Sequence, residues 1–104
     1  MAKFVRVASV DDIPNGEALQ VEAEGLTLAL VRANGDVYCV QDVCSHEQAF
    51  LSEGFCEGFE IECPLHGSIF DVRTGDVKSL PATEPVKTYP VKVEDGAVHV
   101  DVEA

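Results

Sequence analysis

The dipeptide Asn34-Gly35, set between "LTLALVRA" and "DVYCVQ", constrains the fold more than any other feature of this chain. Both residues tolerate the positive φ of a type I′ turn, so the segment predicts a two-residue β-hairpin. Asp95-Gly96 repeats the device between "VKTYPVKVE" and "AVHVDVEA". Near the start "KFVRVAS" has a strand-like pattern, which "DDIPNGEA" breaks with Pro14 and Asn15-Gly16. Thr74-Gly75 reads as one more hairpin turn. There is no repeat, no low-complexity segment and no amphipathic helix pattern. The prediction is an all-β chain, an antiparallel sandwich or barrel.

Residues from about 41 to about 82 look different: Gly54, Gly58, Gly67, Gly75, Pro64 and Pro81 fall there, with most of the cysteine and histidine. The two ends, about 1–40 and 83–104, therefore predict a β-framework that carries a central inserted lobe of about 41–82. With 104 residues the chain suits a single domain. A formal net charge of −12 excludes a nonspecific nucleic-acid binder and disfavours an anionic membrane surface as partner. No apolar run is long enough to span a membrane, and "MAKFVRVASV" lacks the pattern of a secretory signal, so the expectation is a cytoplasmic protein. In that reducing compartment the four cysteines are core residues, ligands or reactive thiols rather than a disulfide framework.

The chemistry lies in two short stretches. "QDVCSHEQAF" places Cys44 and His46 in C-x-H, and "ECPLHGSIF" places Cys63 and His66 in C-x-x-H, with residues 47–62 between. Two cysteines and two histidines thus arrive as two mixed pairs, each on its own loop, able to clamp one metal centre from two sides. Zinc accepts such a set, but zinc fingers draw cysteines from a knuckle and histidines from a helix, and neither element is present. The other centre with this ligand set is a [2Fe-2S] cluster in which two histidines replace two cysteines on one iron.

C-x-H followed by C-P-x-H-G resembles the Rieske motif, and nearly the whole chain is similar to the Rieske-type ferredoxins of bacterial aromatic-ring-hydroxylating dioxygenase systems. The resemblance implies the Rieske fold, with Cys44 and Cys63 on one iron and His46 and His66 on the other, the histidines at the exposed tip of the lobe. It implies a one-electron shuttle rather than an enzyme. Its partners would be a flavin-containing NAD(P)H reductase and a terminal Rieske oxygenase, met in transient contacts. In the same family Pro81 would belong to a loop covering a third side of the cluster, and Phe50, Leu51, Pro64, Leu65 and Pro81 would shield it and centre the contact.

Two bridging sulfides and two thiolates balance two ferric irons, so the oxidised core is formally neutral and easier to reduce than a four-thiolate one. Rieske clusters accordingly span roughly −150 to +300 mV, against about −400 mV for plant-type ferredoxins. High-potential Rieske proteins add a disulfide between the ligand loops and a tyrosine to a ligand sulfur, and the corresponding positions here are Ala49, Leu65 and Phe70. Ser68 is retained as a donor to a bridging sulfide. The expectation is the low end of the range.

From Ala33 to Val72 there is no Lys or Arg, while Asp36, Asp42, Glu47, Glu53, Glu57, Glu60, Glu62 and Asp71 are acidic. These residues either keep a small protein soluble or steer the lobe onto basic partner surfaces. His99, flanked by Val98 and Val100, is expected on the solvent side with Asp101, facing away from a core that includes Val102, and is no ligand. Cys39 is expected in the core and Cys56 as a free thiol. Three other readings stay open: a structural zinc domain, a Rieske-like small subunit of an assimilatory reductase such as nitrite reductase, and a redox-sensing domain, the last requiring a reactive Cys39 or Cys56.

Overall fold

The computed structural model describes residues 2–43, 49–64, 67–79 and 84–104. Eleven strands among them form three antiparallel sheets. The first sheet joins the chain ends: β1 (Phe4–Ser9) pairs with β11 (Ala97–Asp101), which pairs with β10 (Val91–Glu94). The second runs in the order β2 (Ala18–Ala23), β3 (Leu26–Ala33), β4 (Asp36–Gln41), β9 (Thr88–Tyr89). The third is the meander β5 (Phe55–Glu57), β6 (Glu60–Glu62), β7 (Ile69–Asp71), β8 (Val77–Ser79). The all-β expectation holds, and the only helical pieces described are 3-10 turns at Val10–Asp12 and Leu51–Glu53.

The near-continuous apolar run of β3 follows from its place in the middle layer, with both faces covered. Leu28 and Leu30 pack with Cys39, Val98 and Val100 against the terminal sheet. Ala29 and Val31 pack with Val40, Ile61, Phe70 and Val72 on the opposite side, against the third sheet. A period of two along one strand thus feeds two separate cores.

Asn34 (φ 51°) with Gly35 (φ 84°), and Asp95 (φ 50°) with Gly96 (φ 79°), make the two expected hairpins. A third of the same kind, Glu24 (φ 51°) with Gly25 (φ 80°), joins β2 to β3 and escaped the sequence reading. "VKTYPVKVE" is not one strand. Thr88–Tyr89 pairs with β4 and Val91–Glu94 with β11, and Pro90, which has no N–H to give a ladder, marks the change of sheet. Val98 and Val100 are buried as expected, but Val102 lies beyond β11 and is only half-buried. Asp101 is buried rather than solvent-facing, because its Oδ1 accepts the backbone N–H groups of Lys3 (2.9 Å) and Glu103 (3.0 Å).

Candidate metal centre

The loop after β4 is shut at its base. Val43 and Phe50 form an isolated antiparallel bridge, and the Leu51 N–H donates to the Asp42 carbonyl at 2.6 Å. The Asp42 side chain completes the closure: Oδ1 accepts the Ser52 N–H (2.7 Å), while Oδ2 accepts the Ser52 hydroxyl (2.9 Å) and the Gln20 amide (2.6 Å). Asp42 is wholly buried. Cys44 and His46 belong to this loop and lie outside the described residues, as does Glu47.

A second loop joins β6 to β7. The Cys63 N–H donates to the Ser68 carbonyl (2.7 Å) and the Gly67 N–H to the Cys63 carbonyl (3.2 Å), a tight return that Gly67 allows at φ 77°. Cys63 is buried in the same apolar cluster as Leu51, Ile61 and Phe70, with Ala49 of the first loop packed against that cluster. Ser68 is buried too. Leu65 and His66 lie outside the described residues, so among the four ligand candidates the structure places Cys63.

The two loops are pressed together at Gly54. A Cβ there would lie 1.8 Å from the Glu62 carbonyl oxygen and 3.2 Å from Pro64 Cδ, so no larger residue fits without displacing the strand that leads into Cys63. A third segment is fastened in a similar way. Gly75, in the β7–β8 turn expected at Thr74-Gly75, accepts the Val86 N–H at 2.9 Å and would put a Cβ 2.1 Å from the Val86 carbonyl oxygen. Pro81 precedes this anchor and lies outside the described residues. Two thiolates and two imidazoles on separate loops suit a cluster with mixed ligation, and a Cys63 sunk in the apolar cluster beneath both loops suits a thiolate kept from water.

The charge reading needs correction at two positions. Asp42 and Asp71 are buried, the first by its closure of the loop and the second because Arg73 donates to it from the backbone N–H (2.8 Å), Nε (3.1 Å) and Nη2 (2.9 Å). Neither can face a partner. Asp36, Glu53, Glu57 and Glu60 are exposed and Glu62 is half-buried. Leu51 is wholly buried and cannot centre a protein contact either, whereas Phe50 and Pro64 are exposed. The sequence reading missed Phe55, which is 74% exposed on β5 and stands opposite Glu62.

The thiols outside the motif are poor nucleophiles. Burial, reinforced by the Asp42 charge, pushes Cys39 up to about 12, and burial with the Glu17 charge raises Cys56. Both are free, Cys39 in the core as expected and Cys56 half-buried in β5. These raised values weigh against the reactive thiol that a redox-sensing domain required.

A family model described as Rieske [2Fe-2S] domain matches residues 3–90. The chain is 44% identical over 100 residues to the ferredoxin component of a naphthalene 1,2-dioxygenase system of Pseudomonas aeruginosa, an alignment covering 96% of each chain. Among solved structures, the Sphingomonas yanoikuyae B1 ferredoxin matches with a TM-score of 0.91 at 39% identity, over 95% of this chain and 98% of that one. A chain of the complex of reduced oxygenase and oxidized ferredoxin in carbazole 1,9a-dioxygenase matches with a TM-score of 0.89 at 37% identity, over 94% of this chain and 92% of that one.

Proposed function

The chain belongs to the Rieske [2Fe-2S] family, and we propose that it is the ferredoxin of an aromatic-ring dioxygenase system, an electron carrier rather than an enzyme. It takes electrons from a flavin-containing NAD(P)H reductase and delivers them to a terminal Rieske oxygenase in the cytoplasm. Cys44, His46, Cys63 and His66 hold the cluster, one cysteine and one histidine from each loop. The whole chain acts as one Rieske domain, the framework of about 1–40 and 83–104 supporting the lobe of about 41–82. When bound, the cluster accepts one electron and gives it up again.

The observation that carries this reading is the burial of Cys63 in an apolar cluster shared by the bases of both motif loops. Leu51, Ile61 and Phe70 keep water from that thiolate, and the Gly67 return fixes the loop that bears it. The exposed carboxylates of Asp36, Glu53, Glu57 and Glu60 support brief, salt-sensitive association with basic partner surfaces. The solved complex of oxygenase and ferredoxin supports the oxygenase as the electron acceptor. No helix among the described residues is long and apolar enough to cross a membrane.

The test is the visible absorption and low-temperature EPR spectrum of the fresh protein, oxidised and dithionite-reduced, with iron, acid-labile sulfide and zinc quantified. About two irons and two sulfides per chain, with a reduced signal averaging below that of four-thiolate clusters, are expected for histidine ligation. Colourless protein with zinc and no sulfide would replace the carrier by a structural zinc domain.

A further inference from the structure

We propose that Asp42 is a positioning residue for the cluster: its buried carboxylate ties the start of the loop whose sequence carries Cys44 and His46 to its end at Ser52 before the cluster arrives. The inference rests on the ligand assignment above. Asp42 is wholly buried, and among the described residues no Lys or Arg pairs with it. Burying a carboxylate without a cation is costly unless hydrogen bonds replace its water, and three donors do so here.

The placement of those donors points to the loop rather than to general stability. Gln20 comes from β2, the edge strand of the middle sheet, and Ser52 from the 3-10 turn that ends the loop, while Asp42 stands at the loop's start. The backbone of Asp42 is held as well, its N–H donating to the Thr27 carbonyl (3.1 Å) and its carbonyl accepting from Leu51 (2.6 Å). One residue thus ties the entry of the loop to its exit and both to the rigid middle sheet. The residues between the ties, 43–50, include two of the four ligands. Loop ends that are fixed on folding do not have to be brought together on ligation.

Removing the side chain would leave the Ser52 N–H and hydroxyl without their acceptor and release the exposed Gln20 amide from the loop. Asn has the same shape and leaves an acceptor for the Ser52 N–H, and the Gln20 amide can turn to present its oxygen. The two substitutions therefore separate loss of the closure from loss of the charge.

The experiment strips the full-length chain of its cluster and reloads it with ferrous iron and sulfide, following visible absorbance and the reduced EPR signal, with far-UV circular dichroism and a melting curve as controls for folding. Asp42→Ala is expected to fold but to retain cluster about ten- to hundredfold less tightly, the size usual for groups that orient metal ligands, with a broadened EPR signal. Asp42→Asn restores loading and signal. Should Asp42→Ala not fold, the Gln20→Leu/Ser52→Ala pair, which removes two of the donors and leaves the backbone ties, is expected to show a weaker form of the same defect. The inference is overturned if Asp42→Ala or that pair loads with wild-type rate and spectrum, or if Asp42→Asn is as impaired as Asp42→Ala. A wild-type protein that takes up no histidine-ligated cluster would instead overturn the ligand assignment.

Discussion

Leu30 in the middle sheet and Leu51 beneath the motif loops are both wholly buried, yet the chain around them is held in different ways. Leu30 sits in an eight-residue strand with six paired positions to each neighbour, and apolar cores lie on both sides of that strand. Leu51 sits in a 3-10 turn laid against β2 and β3, where the loops and three-residue strands beside it are fastened by particular atoms: the Asp42 carboxylate, the Cys63–Ser68 backbone pair, and the contacts of Gly54 and Gly75. Ladders and apolar area spread the framework's stability over many residues. In the lobe it is concentrated at a few contacts that leave no spare room, so one added methyl group there should do more harm than one strained turn in the framework.

The largest expected effect compares two glycines. At Gly35 an added Cβ meets nothing within 4 Å, and the cost of Gly35→Ala is the positive φ alone, about 1–2 kcal/mol. At Gly54 the φ of −90° suits any residue, but the Cβ would stand 1.8 Å from the Glu62 carbonyl oxygen. Gly54→Ala should cost about 3 kcal/mol or more, because β6 or the loop base must move. Urea unfolding of the two variants decides it. Equal costs, or a greater one at Gly35, would break the contrast between the halves.

That contrast also explains what was legible in the sequence. The framework could be read because its signals are local: Asn34-Gly35 and Asp95-Gly96 dictate their own turns. Glu24-Gly25 makes the same kind of turn without an Asn or Asp to advertise it. The motif stood out by spacing and residue type. The closure around Asp42 could not be seen, because it joins residues 22 and 10 positions apart that have no pattern in common. For the same reason Asp42 and Asp71 counted as surface charge: a carboxylate is exposed by default, and only its donors, which tertiary structure supplies, can bury it. Phe55 escaped because a three-residue strand is too short to display alternation.

A smaller effect separates the two free thiols. Cys39 lies 2% exposed between sheets, with its thiol pushed up to about 12, whereas Cys56 is half-buried in β5. In the unfolded chain a cysteine titrates near 9, so the raised folded value means that the Cys39 contribution is complete below that pH and is lost as pH climbs toward 12. By about pH 10.5 the loss should reach about 2 kcal/mol. Cys39→Ala should remove that share of the alkaline slope even though it lowers stability at neutral pH. An unchanged slope between about pH 9 and 11 would show that other groups carry it. In the native protein a disulfide reagent should reach Cys56 slowly and Cys39 only through unfolding.

The smallest effect tests whether a polar contact at the end of β7 matters as those at the loop bases do. Arg73 donates to both carboxylate oxygens of Asp71, and its guanidinium lies 4.1 Å from the centroid of the Phe59 ring. These hydrogen bonds hold the Asp71 carboxyl below its ordinary value. A lowered folded value contributes stability above the unfolded pKa and loses it as pH falls, so the contribution is present at pH 6 and fades below about pH 4. Arg73→Ala should lower the urea midpoint at pH 6, and the difference from wild type should shrink as acid protonates Asp71. Because the Arg73 side chain is half exposed, water already screens most of its attraction, and the change should stay well below that at Gly54. A loss as large as that of Gly54→Ala would mean that the end of β7 is as tightly determined as the loop bases, and the difference between framework and lobe would then follow strand length alone.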